Sequence, residues 1–442
     1  MGGLTMSAIR NLIDKLKQKL ASRFLRNLGW LGLSELFIRI SRLAATIILA
    51  RLLSKYDYGL AALVLTTNEF VNVFTQNGIW DKLIQSDQGE LKQLSQTAYC
   101  LNWIICGALF ITQCLISIPV AWFYQDTQII LPICVMALVY LIIPISLVQA
   151  SLTQRENRLH VTALANGLQI SIDNVLTIIL AFCGLGMWAI VLPKVIVAPI
   201  WVIVHYFNNP WRPSKEFTLV NWQEITRFGR SVLGVKLMNT LRSNLDYLIA
   251  GKFLGVEALG IYYFAFNAGL GISMSAINAV DSALFPHLCA ARSDPAQFKE
   301  RYFSSLKTIA WIVFPLVILQ SSLAPIYVPI IFGQKWLAAI PILILICLSA
   351  IPRPFANAAS RALWALGKPD WDLRWNLFFT SFFAIALLIG VNWGIIGIAA
   401  TVLLAHGLAL PMYSLWVTRN ISAIMNQDIV VIETKKAENT QK

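Results

Sequence analysis

The chain alternates long apolar runs with short segments rich in charge, Gly and Pro, and the runs match the roughly 20 residues a helix needs to cross a bilayer. They predict spans near 29 to 50, 57 to 79, 97 to 117, 129 to 149, 164 to 184 and 187 to 207. A second set follows near 229 to 250, 259 to 285, 308 to 329, 340 to 360, 375 to 392 and 395 to 417. The expected organisation is a basic amphipathic arm over 1–28, a six-helix lobe over 29–207, a linker over 208–228, a second six-helix lobe over 229–418 and a tail over 419–442. No stretch remains for a large soluble catalytic domain.

Composition agrees with this pattern. Of 442 residues, 57% are hydrophobic and 13% charged, whereas soluble domains are roughly 25% charged. The fold class is therefore an all-α integral membrane protein. A net charge of +13 would suggest nucleic acid as a partner of a soluble protein, but here loop asymmetry explains it and no nucleic acid is expected. With the N-terminus inside, the outside loops hold only Arg51, Lys55, Lys252 and Lys335 among the basic residues. The other loops and both ends carry most of the rest, so both termini are expected in the cytoplasm. The first 28 residues have basic side chains from Arg10 to Arg26 and no signal-peptide core. The seven cysteines lie in or beside apolar stretches without CxxC spacing, and read as small apolar fillers.

An internal repeat shows at an offset of 201 residues. Arg51-Leu52-Leu53-Ser54 with Gly59 matches Lys252-Phe253-Leu254-Gly255 with Gly260, and Asn77 falls on Asn278. Six spans return the chain to its starting side. Two such halves would have the same orientation about an axis along the membrane normal, with a substrate site between them.

Charge inside the spans is the candidate chemistry. At roughly 2.5 to 3.5 kcal/mol each at mid-bilayer, such residues cannot all face lipid. In the first span Glu35, Arg39 and Arg42 share one helical face. In the seventh, Lys236, Asn239, Thr240, Arg242, Ser243 and Asp246 fall within an arc of roughly 160 degrees. The second adds Asn68, Glu69, Asn72 and Gln76, and the eighth adds Asn267, Ser275, Asn278 and Asp281. Four helices are thus expected to line a wet, charged chamber. Its cations suit an anionic substrate, guanidinium groups in particular forking onto phosphate oxygens. Its carboxylates have two roles open to them: to hold the arginines, or to bind a proton or sodium ion that drives the cycle. Lys194 and Arg353 sit among prolines near span ends and are expected to snorkel to the interface.

Enzyme motifs are absent from the sequence: it has no GxxxxGK[ST] loop and no HExxH. The four histidines are scattered, with no partner at metal spacing, so neither metal nor cofactor is expected, and His406 reads as hydrogen-bonded packing. Asp370-Trp371-Asp372 has the DxD form that some sugar-nucleotide transferases use to hold a metal. An acid-rich helix start explains it as well.

Several stretches together carry a resemblance: Ala50 to Ser54 with Asp57-Tyr58-Gly59; Asn244 to Ile249 with Gly260-Ile261-Tyr262; Leu284-Phe285-Pro286; Phe332 to Trp336; and Ala365 to Pro369. In their order and spacing the chain resembles the Wzx-type polysaccharide and oligosaccharide flippases of the multidrug/oligosaccharidyl-lipid/polysaccharide (MOP) superfamily. The resemblance implies a MATE-like bundle of about twelve helices in two lobes, in a bacterial inner membrane. It also implies movement of a polyprenyl-pyrophosphate-linked oligosaccharide, an O-antigen, capsule or exopolysaccharide repeat unit, from the inner to the outer leaflet by alternating access. On that resemblance Arg39, Arg42, Lys236 and Arg242 would receive pyrophosphate and sugars. The cavity or coupling acids would be Glu35, Glu69, Asp246 and Asp281, and the polar lining Asn68, Asn72, Asn239 and Asn278. Membrane lipid is an expected partner, with a glycan polymerase and other synthesis proteins as further ones.

With the cell interior negative, moving phosphate charge outward is favoured by roughly 2.3 kcal/mol per charge per 100 mV, and the return of an empty cationic site is opposed. A carboxylate-bound cation on Glu35, Glu69 or Asp246 is expected to assist that return. Two other readings compete. A drug exporter of the multidrug branch would share the bundle, but a cationic cavity repels cationic drugs. A glycan polymerase or ligase is expected to need a large outer loop, and the outer loops here are short.

Overall fold

The computed structural model describes residues 23–75, 79–85, 89–156, 158–214, 217–219, 222–269, 284–285, 287–291 and 294–440. Among them the chain is helical, with no strand. The helices are α1 (Arg23–Leu52), α2 (Lys55–Asn72), α3 (Ile79–Gln85), α4 (Leu91–Tyr124), α5 (Ile130–Ala137), α6 (Val139–Ile142), α7 (Leu147–Arg155), α8 (Leu159–Phe182) and α9 (Trp188–Asn208). They continue with α10 (Trp222–Leu254), α11 (Val256–Ala268), α12 (Pro295–Tyr327), α13 (Ile340–Ser349), α14 (Arg353–Ala365), α15 (Pro369–Gly390) and α16 (Gly394–Thr440).

Among the described residues, seven segments are long and apolar enough to cross a membrane: Leu91–Tyr124, Thr127–Ile145, His160–Phe182, Trp188–Asn208, Pro295–Phe332, Gln334–Ala365 and Pro369–Ile421, the last holding two of the expected spans. The expected first, second and seventh spans are the helices α1, α2 and α10. Charge sets them apart from the seven: Glu35, Arg39 and Arg42 in α1; Lys55, Asp57 and Glu69 in α2; Lys236, Arg242 and Asp246 in α10. The expected eighth span begins as α11, and residues 270–283 beyond it lie outside the described residues.

Two expected spans are broken rather than continuous. The fourth runs through α5, α6 and a 3-10 turn at Ile143–Ile145 into α7. The tenth divides between α13 and α14 at Ala350–Pro352. Pro144 and Pro352 sit at the two breaks, and each lacks the N–H that would continue the helical ladder.

The chain forms two compact units, Met1–Leu53 with Leu63–Thr240, and Ser54–Ala62 with Leu241–Lys442. In the first, α8 lies along both α1 and α9. Arginines close its helix ends by donating to terminal carbonyls: Arg155 to Leu83 and Ile84 at 3.0 Å, Arg158 to Asn208 at 2.8 Å, and Arg212 to Tyr206 at 3.0 Å. These carbonyls are the acceptors a helix end leaves unsatisfied.

In the second unit α2 starts at a capping box. The Asp57 carboxylate accepts from the Ser54 amide at 3.0 Å and hydroxyl at 2.6 Å, while the Ser54 hydroxyl accepts from the Asp57 amide at 3.0 Å. Tyr58 then meets Trp336 edge-on at 5.1 Å and Phe264 at 6.0 Å, and Phe264 stacks on Trp336 at 3.9 Å. Tyr58, Phe264, Phe332 and Trp336 are all buried. Two of the stretches that carry the family resemblance therefore pack against each other as core.

Glycine is required where α2 crosses α11. A β-carbon on Gly59 would strike the carbonyl oxygen of Val256, and one on Gly260 would strike that of Lys55. Gly59 and Gly260, like Lys55 and Val256, are related by the offset of 201, so the contact is reciprocal, as a two-fold relation between repeats demands.

Candidate functional site

The face of α1 expected to carry cations does so. Arg39 and Arg42 are exposed, one turn apart on a helix whose Ala45 and Ala50 are buried. Glu35 lies in the same helix, and its side chain is outside the described residues. Glu69 of α2 is exposed as well. The Asn68 side-chain carbonyl accepts from the buried Tyr140 hydroxyl at 3.3 Å, and that of Asn72 accepts from Thr75 at 3.2 Å, so both amides are engaged within the first unit. On α10, Lys236 is half-buried and Asn239 exposed. Asn278 and Asp281 lie outside the described residues.

Lys194 does not snorkel. Its ammonium donates to Asp173 at 3.3 Å, joining α9 to α8. Between adjacent helices in a membrane a nearby carboxylate is a better partner than a distant interface. One turn of α8 also carries Asn174, which donates to Ser41 of α1 at 2.9 Å.

The second unit holds a denser constellation. Asp246 of α10 is buried, accepting from the Tyr262 hydroxyl at 2.7 Å and the Tyr247 amide at 3.0 Å. Arg353, at the start of α14, interacts electrostatically with that carboxylate and with Tyr262. Its Nε is buried, so its place is inside the unit rather than at the interface expected for it. Arg242, one helical turn before Asp246, is half-buried and donates from Nη1 to the side-chain carbonyl of Asn376 in α15.

Asp372, on the same helix as Asn376, is the third member. Ser360 donates to its Oδ1 at 2.7 Å, Tyr413 to Oδ1 at 2.8 Å, and the Trp364 indole N–H to Oδ2 at 2.8 Å. Tyr413 is itself stacked on Trp375, centroids 4.7 Å apart and planes within 4°. His406 of α16 is buried beside Phe379 and Phe383 and bonds to the backbone of Val402, in keeping with a packing role.

The sequence put Arg242 and Asp246 on one arc of a helix but did not join Arg353, Asp372, Asn376 and Tyr413 to them as their company. A signal existed: Ser360 with Trp364 and Asp372 with Asn376 are pairs of hydrogen-bonding side chains at i, i+4, each on one face of its helix. The DxD metal reading fails on geometry, since Asp372 is consumed by three donors while Asp370 is exposed. Among the described residues no group of His, Cys, Asp and Glu could hold a metal ion.

Charged groups set into apolar helices, in a chain of two compact helical units, define the class of polytopic membrane proteins. The fold agrees. It is similar to an inward-facing MATE family multidrug transporter of the MOP superfamily, with a TM-score of 0.67, 16% identity, and 88% of this chain and 96% of that one covered. It is also similar to the lipid II flippase MurJ in an inward closed conformation, with a TM-score of 0.72, 14% identity and 92% of each chain covered.

The particular family follows from sequence. The polysaccharide biosynthesis protein family matches residues 48–341, and the chain belongs to it. Similar proteins include the teichuronic acid biosynthesis protein TuaB of Bacillus subtilis, 28% identical over 83% of this chain and 76% of TuaB. The lipopolysaccharide biosynthesis protein WzxC of Escherichia coli is 25% identical over 85% of this chain and 77% of its own length. The succinoglycan biosynthesis transport protein ExoT of Rhizobium meliloti is 23% identical over 73% and 65%. The chain is thus a multi-pass membrane protein of the polysaccharide biosynthesis protein family.

Proposed function

We propose that the chain is a flippase that carries a polyprenyl-pyrophosphate-linked oligosaccharide from the inner to the outer leaflet of a bacterial inner membrane, by alternating access. The observation that carries this reading is the family match over residues 48–341 on a chain with a MOP transporter fold. The sugar and phosphate groups of such a lipid are opposed by hydrocarbon unless polar partners replace water, and the lipid tail can stay in the membrane meanwhile.

In this reading the exposed guanidiniums of Arg39 and Arg42, with Lys236 and Arg242, receive the pyrophosphate. Asn68, Asn72, Asn239 and Asn278 line the route. Glu35, Glu69, Asp246 and Asp281 balance the cations or carry a coupling proton or sodium ion. Both termini lie in the cytoplasm, with synthesis enzymes as neighbours.

The test is surface glycan in a deletion strain complemented with Arg39→Ala, Arg42→Ala or both, at matched membrane levels. The expected result is loss of glycan, with lipid-linked oligosaccharide accumulating on the cytoplasmic side. Normal glycan in the double variant, or in the deletion strain itself, overturns the reading.

A further inference from the structure

We propose that Asp372 is a positioning residue: by its charge, and together with the hydrogen bond from Arg242 to Asn376 one turn on, it holds the Arg242 guanidinium where a lipid pyrophosphate is received. The proposal deepens the flippase reading and rests on it.

Asp372 is 5% exposed and its three hydrogen-bond donors, Ser360, Trp364 and Tyr413, are neutral. A carboxylate placed in the first turn of a helix gains from the helix dipole, yet a buried anion still needs a cation nearby. Arg242 supplies it, through an electrostatic interaction with Asp372. The link is also steric. The Asn376 amide donates from Nδ2 to the backbone carbonyl of Asp372 at 2.8 Å, a bond independent of the carboxylate, which fixes its orientation and turns Oδ1 toward Arg242.

Each part of the chain is held in turn. Tyr413 is clamped by its stack on Trp375 and also lies 3.3 Å from Ser360. Trp364 and Ser360 sit one turn apart on α14, so one helix supplies two of the three donors. With two donors on Oδ1 and one on Oδ2, and a guanidinium as counter-charge, the carboxylate is not arranged as a ligand for a sodium ion, which would need those lone pairs. A neutral isostere would satisfy packing at lower desolvation cost. The charge is explained if its work is to keep a half-buried arginine ionised and aimed.

The test uses the full chain in proteoliposomes with its lipid-linked oligosaccharide. Apparent KM and maximal rate are compared for wild type, Arg242→Gln, Asp372→Asn, the double variant, Asn376→Ala and Asp372→Glu. Loss of one charge-assisted contact predicts a rise of about tenfold in apparent KM for Arg242→Gln and for Asp372→Asn. The double variant should be no worse than Arg242→Gln alone, as two residues acting through one group require. Asp372→Glu should recover part of the loss.

If Asp372→Asn does not fold, Asn376→Ala, with the carboxylate intact, must show the same rise. A wild-type KM in Asp372→Asn or Asn376→Ala overturns the proposal, as do penalties that multiply in the double variant. If wild type flips and Arg242→Gln matches it, the positioning proposal alone falls. If wild type moves no lipid-linked oligosaccharide, the flippase reading falls first.

Discussion

Each unit buries an aspartate between membrane helices, and the two are treated differently. In the first unit Asp173 meets one cation, Lys194, which is 35% exposed, and its Oδ1 is buried without a partner. In the second unit Asp372 has three neutral donors and an arginine, and a neighbouring carboxylate, Asp246, has a tyrosine, an amide and a second arginine. A two-membered pair with a partly exposed cation is a local latch. A network in which each anion is satisfied several times over fixes directions, and removing any member leaves others stranded.

Three substitutions would break or sharpen that contrast. The largest effect is expected from Arg353→Leu, which strips the buried Asp246 of its guanidinium. Stranding a buried charge costs about 3–5 kcal/mol, and thermal unfolding in detergent should register it. Next comes Tyr413→Phe, which removes one donor from Asp372 and keeps the ring stacked on Trp375; the expected loss is about 1–3 kcal/mol, read in the same assay. Lys194→Met should cost least, because it removes one member of a partly exposed pair and not of a network. A Lys194→Met loss as large as that of Arg353→Leu would show that the two units do not differ in this way.

Much of the fold was legible because bilayer crossing leaves a long, one-dimensional signal. The apolar runs located the helices, and a period of 3.6 put Arg39 with Arg42 and Arg242 with Asp246 on common faces. The breaks near Pro144 and Pro352 were visible in principle, but a high apolar content hid them as continuous spans. The Asp372 network was not legible, since its members meet across helices: Arg242 reaches Asn376 over 134 residues and Tyr413 reaches Asp372 over 41. Sequence spacing reports neighbours on one helix, and says nothing of which face of which other helix will pack there. For the same reason Lys194, lacking a visible partner, was expected at the interface although Asp173 waited on the adjacent helix.

The resemblance to a family was carried by residues such as Tyr58, Gly260 and Trp336, which the structure uses for packing, whereas the cations proposed to meet substrate lie largely outside those stretches. Motifs of this kind identify a scaffold. What the scaffold carries is written in the charges set into it.

The reciprocal contact of Gly59 with Val256 and of Gly260 with Lys55 has an evolutionary consequence. Two separate chains of half this length, paired about a two-fold axis, would make one such contact twice, and any mutation there would strike both copies at once. Joining the halves in a single gene releases that constraint. Of the positions at this crossing, Lys55 is charged and Val256 apolar, while Gly59 and Gly260 leave no room for a β-carbon on either side.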